Sequence, residues 1–212
     1  MELVRGLHNL QPGHRGCAAT IGSFDGIHLG HQAVLAQLAV QGRALGLPVT
    51  LITFEPQPRE YFMPQAAPPR LTRFREKLEV LRDCRIDRVV CLRFNSYLAD
   101  LTAAEFIETV LLDGLAVKYL IVGDDFRFGR ERAGNFSLLQ QAGDTHGFPV
   151  AKMQTFNVGG QRVSSTRIRS ALREGDLAGA EALLGRPFWM SGRVAHGDKR
   201  GRTIGFPTAN IY

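Results

Sequence analysis

Two histidines, His28 and His31, stand three positions apart in the stretch IGSFDGIHLGHQ (21–32), among glycines spaced four apart: Gly22, Gly26 and Gly30. Glycines let backbone N–H groups approach an anion closely, and a helix that begins just after them adds unpaired donors and a positive dipole end. If the helix starts near Gly30, the two rings lie about one turn apart and can face the same anion. Imidazole donates a hydrogen bond when neutral and adds a charge when protonated. The glycine spacing matches neither G-x-G-x-x-G nor G-x-x-x-x-G-K-[ST]. Two other readings stand beside an anion cradle: two ligands of a zinc site, or a pair of buried structural histidines. No other cluster in the chain offers clear remaining zinc ligands.

A second group of residues points the same way. In GGQRVSSTRIRSALREGDL (159–177), Ser164, Ser165 and Thr166 lead into a helix that carries Arg167 and Arg169 in its first turns. A hydroxyl at the N-cap is usual and by itself marks only a helix start. Basic residues in the first turn, however, oppose the helix dipole, which favours acids there. An anionic ligand would offset that opposition. With two such helix N-termini, a polyphosphate ligand is expected.

The elements that must position these residues follow from apolar patterning. Short Val-, Ile- and Leu-rich runs predict strands at 17–21, 49–54, 88–94, 119–123 and 149–156, with amphipathic helices near 31–45, 73–83, 103–113 and 136–146. The third helix opens on a capping box, Thr102 with Glu105. Strands alternating with helices predict an α/β fold with a parallel sheet covered on both faces. Ligands of such sheets bind beyond the carboxyl ends of the strands. That places the first stretch, FEPQPREYFMPQAAPPR (54–70) and GDDFRFGRERAG (123–134) on one rim. Five of the ten prolines fall within 56–69, so this segment is expected to be a long ordered loop rather than a regular element.

Composition narrows the class. A chain of 212 residues with 44% hydrophobic and 22% charged residues suits a soluble domain with some length to spare. No window is apolar enough for a membrane span, and the N-terminus has no signal-peptide pattern. Three cysteines, Cys17, Cys84 and Cys91, lie in apolar runs without metal spacing and read as reduced thiols of a cytosolic protein. Of the net charge of +6, residues 161–212 carry +5, from nine Lys/Arg against four Asp/Glu. A basic surface attracts phosphates. Zinc-finger spacing, an aromatic RNA-binding signature and an uninterrupted basic run are all missing, so nucleic acid is not the expected partner.

Five segments together resemble the adenylyltransferase half of bacterial FAD synthetases, the bifunctional riboflavin kinase/FMN adenylyltransferases. They are GSFDGIHLGHQ (22–32), TFEPQPREYF (53–62), RLTRFREKLEVL (70–81), VGDDFRFGRERAG (122–134) and VSSTRIRSALREGDLAGAEALLGRPF (163–188). The H-x-G-H element alone specifies only the wider nucleotidylyltransferase superfamily. The later segments narrow it to the flavin branch. One departure is Gln57, where the family often has His. The resemblance implies a Rossmann-like nucleotidyltransferase domain over 1–186. It implies His28, His31 and Arg169 as catalytic, Gly22, Phe24, Gly30, Ser164, Ser165 and Thr166 at ATP, and Phe62, Asp125 and Phe128 at the flavin. For Phe128 a plain core role is the alternative.

Residues 187–212, with GRVAHGDKRGRTIGFPTANIY (192–212), resemble the opening of the small β-barrel of riboflavin kinase, in which Thr208 and Asn210 would hold ATP and its magnesium. The resemblance implies Mg2+ as cofactor, with ATP, FMN and riboflavin as small-molecule substrates. It also implies that the chain, through residues 1–186, converts FMN to FAD and that riboflavin phosphorylation needs a complete kinase domain. The alternatives are a nicotinate- or pantetheine-type adenylyltransferase and a nucleotide- or RNA-binding module without catalysis.

Overall fold

The structure is a computed structural model that describes every residue except 154, 196, 198, 199, 207–209 and 212, and only the backbone of 210 and 211. Six strands, β1 (Glu2–Arg5), β2 (Ala18–Ile21), β3 (Val49–Glu55), β4 (Arg88–Arg93), β5 (Tyr119–Gly123) and β6 (Val150–Met153), form a parallel sheet in the order β1-β4-β3-β2-β5-β6. Helices α1 (Leu29–Leu45), α2 (Pro58–Phe62), α3 (Phe74–Asp83), α4 (Ser96–Asp100), α5 (Ala103–Phe106) and α6 (Phe136–His146) connect them. Beyond the sheet come the hairpin β7 (Asn157–Val158) and β8 (Gln161–Arg162), the helices α7 (Ser165–Arg173) and α8 (Leu177–Leu184), then β9 (Val194–Ala195), α9 (Arg200–Thr203) and β10 (Asn210–Ile211). β9 pairs with β10 in antiparallel fashion.

The period-2 geometry of each strand sends alternate side chains to opposite faces, and here both faces are buried. Ala19, Ile21, Ile52, Phe54, Val90, Leu92, Leu120 and Val122 enter one core, with Phe106, Val110, Leu111 and Leu139 of the covering helices. Ala18, Val49, Leu51, Val89, Tyr119 and Ile121 enter the other, with Leu35 and Leu38 of α1 and Leu81 of α3. This is why the strands read as continuous apolar runs. A third, smaller core joins Ile168, Ala180, Leu183 and Leu184 of α7 and α8 to Leu71 and Val163.

The five expected strands and four expected helices are present, with shifted ends. The last strand stops at Met153 rather than 156, and Gln154 lies outside the described residues. The capping box holds: Thr102 Oγ1 accepts from the Glu105 N–H at 3.2 Å, and the Glu105 carboxylate accepts from the Thr102 N–H at 2.8 Å. After one turn that helix widens into a π-helix over Ile107–Gly114. The segment 56–69, expected from its prolines to be a long loop rather than a regular element, in fact contains the short helix α2. Pro58 occupies the first turn of α2, where its missing N–H costs nothing, and Glu60 accepts from the Gln57 N–H at 2.8 Å.

Strand order decides where a ligand can sit. From β2 the chain proceeds outward through β3 to β4. It then crosses back to β5 on the other side of β2 and continues to β6. The connections therefore leave β2 and β5 in opposite directions, and in open parallel sheets ligands bind beyond the carboxyl ends of such a strand pair. The loops there are 22–28, with the two histidines, and 123–129.

Candidate active site

The loop after β2 is held in a conformation that few residues adopt unaided. Phe24 and Ile27 have φ of 46° and 40°, and Gly26 lies between them at 84°. Left-handed backbone at a non-glycine residue costs about 1–3 kcal/mol and persists where surrounding contacts over-determine it. Those contacts come from four directions. Lys77 Nζ donates to the Ser23 carbonyl at 2.6 Å. Ser165 Oγ donates to the Asp25 carbonyl at 3.0 Å. Arg186 donates to the carbonyls of Gly26 at 2.8 Å and Ile27 at 3.2 Å. The Asp25 carboxylate accepts from the N–H groups of Leu71 and Thr72 at 3.1 Å. Cations thus hold the loop's carbonyls from behind.

His28 is the N-cap of α1 and is buried; its Nδ1 accepts from the His31 N–H at 3.3 Å. An accepting Nδ1 carries a lone pair, which puts the ring proton on Nε2. The rings of His28 and His31 stack with centroids 3.7 Å apart at 13°, and Phe24 covers His31 at 4.6 Å. His31 Nδ1 is buried and, among the described residues, has no hydrogen-bond partner. An unpaired buried N–H is the costlier state, so the lone pair belongs there too and His31 offers Nε2–H. Burial pushes the His28 pKa down to about 4 and holds His31 well below 6.5, the latter helped by the neighbouring His28 ring, with which it cannot share a second proton, and by the Lys77 charge. Both rings are therefore neutral donors before an anion arrives. The His31 ring is enclosed in this stack rather than open to solvent.

The second helix N-terminus is built as expected. Ser164 caps α7, its Oγ accepting from the Arg167 N–H at 3.3 Å, and Thr166 is exposed. The first turn of α7 is bonded to Asp25 through Ser165, which ties this N-terminus to the loop that leads into α1. Gly30 lies in the first turn of α1, where a Cβ would come within 3.2 Å of the His28 ring. Gly22 follows β2 directly, and a Cβ there would meet the Phe24 ring at 3.0 Å.

Arg169 differs from expectation. It was expected to grip polyphosphate, but its Nη2 donates to the Asp25 carboxylate at 2.5 Å and its Nε to the Pro69 carbonyl at 2.7 Å. This guanidinium joins α7 to two of the rim segments, at Asp25 and at Pro69. Asp25 is the residue that sequence reasoning left out, because only the fold reveals that a single carboxylate meets Arg169, Leu71 and Thr72.

The flavin candidates separate. Phe62 on α2 is 61% exposed, in edge-on contact with Tyr61 and Phe94 at 5.2 and 5.6 Å. Asp125 is exposed and paired with Arg162 at 2.7 Å. Phe128 is buried, packed on Phe106 at 5.4 Å, with its backbone paired to Gly134. Its ring is a core side chain, and direct stacking on a ligand is corrected to support of the half-buried Phe126, stacked on it at 5.6 Å. Gln57, at the position of the family's usual His, is the buried N-cap of α2. Thr208 lies outside the described residues, and Asn210 contributes only its backbone, in β10.

Among the described residues no group of three or more His, Cys, Asp or Glu could hold a metal ion, so the histidine pair is not half of a zinc site there. Asp25 is occupied by Arg169, and neutral imidazoles are poor ligands for magnesium, which prefers oxygen. These residues do not form a resident magnesium site. All three cysteines are free thiols, and no helix among the described residues is long and apolar enough to cross a membrane.

An open parallel sheet whose switch point is met by two capped helix N-termini and paired neutral imidazoles defines a nucleotide-handling α/β protein. The model of the FAD synthetase family matches residues 10–167, and that of riboflavin kinase matches 184–212. The chain belongs to the FAD synthetase family. It is 56% identical over all 212 residues to the bifunctional riboflavin kinase/FMN adenylyltransferase of Escherichia coli (strain K12), and 54% identical over 211 residues to that of Pseudomonas fluorescens. In each case it spans 68% of the relative's length. A crystal structure titled a macrolide-efflux protein from Streptococcus pneumoniae superposes with a TM-score of 0.83 at 29% identity, covering 100% of this chain and 69% of that one.

Proposed function

We propose that this chain makes FAD from FMN and ATP. An oxygen of the FMN phosphate bonds to the α-phosphorus of ATP, the bond from that phosphorus to the oxygen bridging to the β-phosphate breaks, and pyrophosphate leaves. The attacking phosphate is already anionic near neutral pH, so no protein nucleophile is required. The work left to the protein is to hold two repelling anions in line and to stabilise charge on the α-phosphate and the leaving group.

The observation that carries this reading is the His28–His31 stack at the N-terminus of α1, and the lone pairs assigned to both Nδ1 atoms leave each ring an Nε2–H to donate. Donors fixed in place before the reaction need no reorganisation as charge develops. The N-terminus of α7, with Ser164, Ser165 and Thr166, supplies a second set of donors for the triphosphate, and Gly22, Phe24 and Gly30 shape the first. Arg169 acts at one remove, by fixing Asp25. Magnesium enters with ATP as part of the substrate, held by its phosphates. The flavin ring packs at the aromatic rim around Phe62, with Asp125 available to its polar edge.

Residues 1–186 form the transferase unit, and 187–212 belong to a riboflavin kinase domain in which Thr208 and Asn210 would meet MgATP; the whole domain would phosphorylate riboflavin. Free thiols suit a reducing compartment, and the cytosol is the proposed location. The test is pyrophosphate release from MgATP with FMN, nicotinate mononucleotide or phosphopantetheine as acceptor. Release with FMN alone is expected. Release only with another acceptor would reassign the substrate, and nucleotide binding without release would leave a binding module.

A further inference from the structure

Lys77 is a charge that the transfer mechanism leaves without a task. It lies in the first turns of α3 and is 1% exposed. Taking an ammonium out of water costs several kcal/mol, so an apolar side chain of the same length would be the cheaper way to fill this volume. Burial pulls its pKa below the ordinary lysine value, and the negative charges of Asp25 and Glu55 oppose that fall.

What the ammonium does is specific. Its Nζ lies 2.6 Å from the Ser23 carbonyl, which also accepts from Thr53 Oγ1 at 3.4 Å. Ser23 stands between Gly22, which leaves β2, and Phe24, whose φ of 46° is strained. The carbonyl of Ser23 belongs to the peptide plane that enters Phe24, so fixing its direction fixes one side of that strained rotation. The Phe24 ring in turn covers His31 at 4.6 Å, and His31 stacks on His28 at 3.7 Å. A chain of three contacts thus runs from a buried ammonium to the imidazole donors. Arg186 and Ser165 hold the carbonyls that follow, but on residues 25–27.

We propose that Lys77 is a positioning residue for adenylyl transfer, its ammonium setting the Ser23–Phe24 peptide so that the Phe24–His31–His28 stack meets the phosphates in register. The inference rests on the transferase reading above. Lys77 does not touch substrate, so substrate affinity is not where its loss is felt. Misplacing reacting groups by about an ångström lowers turnover by about 10²-fold.

The full chain with Lys77→Met and Lys77→Gln is the test, read by steady-state kinetics and by NMR of the histidine rings. In Lys77→Met, kcat falls by roughly 10- to 10²-fold while KM for ATP and FMN stays within about threefold. Lys77→Gln keeps a donor and recovers part of the loss. The ring-proton signals of His31, displaced by its stacked neighbours, move toward those of free imidazole in Lys77→Met, while His8 and His146 keep theirs. A folded Lys77→Met with the parent kcat and unmoved His31 signals overturns the proposal. If Lys77→Met does not fold, Lys77→Gln carries the same comparison: parent kcat and unmoved His31 signals overturn the proposal, and losses in both uphold it. A parent chain that makes no FAD defeats the transferase reading instead, and the His31 signals then decide the positioning claim alone.

Discussion

His28 is read from sequence as a phosphate-facing ring, and the structure adds that it is also a helix cap and a buried neutral base. That combination has a consequence for stability. With a folded pKa of about 4 and an unfolded one near 6.5, the unfolded chain takes up a proton between these values and the folded chain does not. Stability is therefore fully retained above pH 6.5 and falls as pH drops toward about 4, by on the order of 3 kcal/mol for this residue. Urea unfolding across that range should show the decline. His28→Asn keeps an N-cap acceptor and should lessen it, leaving the part that the buried His31 ring contributes, whereas an unchanged slope would mean that the His28 ring titrates freely. His31→Ala should leave the fold intact and lower transfer by about 10²-fold, with FMN affinity little changed, as measured by kinetics and flavin titration. For Arg169 the structure revises the expected outcome. Arg169→Met leaves the buried Asp25 carboxylate without its cation and should cost about 3 kcal/mol, a fall in Tm of roughly 6–12 °C. Direct binding of ATP by Arg169 predicts the reverse pattern, in which nucleotide affinity drops and Tm stays. The partners of Asp25 were not legible, because they lie 46 to 144 residues away in sequence.

Strands buried on both faces announce themselves as unbroken apolar runs, and β2 to β5 were readable for that reason. β1 was not. It has four residues, only Val4 is buried, and its edge is secured by Glu2, whose carboxylate accepts from Arg88 of β4 at 2.8 Å. α2 was hidden by its prolines, although Pro58 and the Gln57–Glu60 pair together mark a helix start. The rim loops pose a different difficulty, since an aromatic in a loop can face the core or a ligand and its type does not say which. The structure separates the two cases, and a paired substitution checks it. Phe128→Ala should destabilise the fold by about 3–5 kcal/mol, as deletion of a buried ring does. Phe62→Ala removes an exposed ring, so it should leave Tm within about 2 °C and weaken FMN binding measured by fluorescence quenching. Equal loss of stability in both variants would contradict the assignment.

At the scale of the molecule, the order β1-β4-β3-β2-β5-β6 is what turns scattered motifs into a site. The alternation of strands and helices gave the parallel sheet and the correct rim. It did not give the order of the strands, because that depends on which faces pack together rather than on local pattern. With the order known, the histidine loop and the loop after β5 fall on either side of one crevice, and α7 reaches the same place through Asp25. The central claim is that this crevice joins FMN to the adenylyl group of ATP. Its most direct measurement is chromatography of the products from FMN, ATP and magnesium, with pyrophosphate quantified in the same reaction and His31→Ala run beside the parent chain. FAD and pyrophosphate should appear in equal amounts, and both should fall by about 10²-fold in the variant. ATP consumed without FAD, or FAD formed at the parent rate by His31→Ala, would contradict the account.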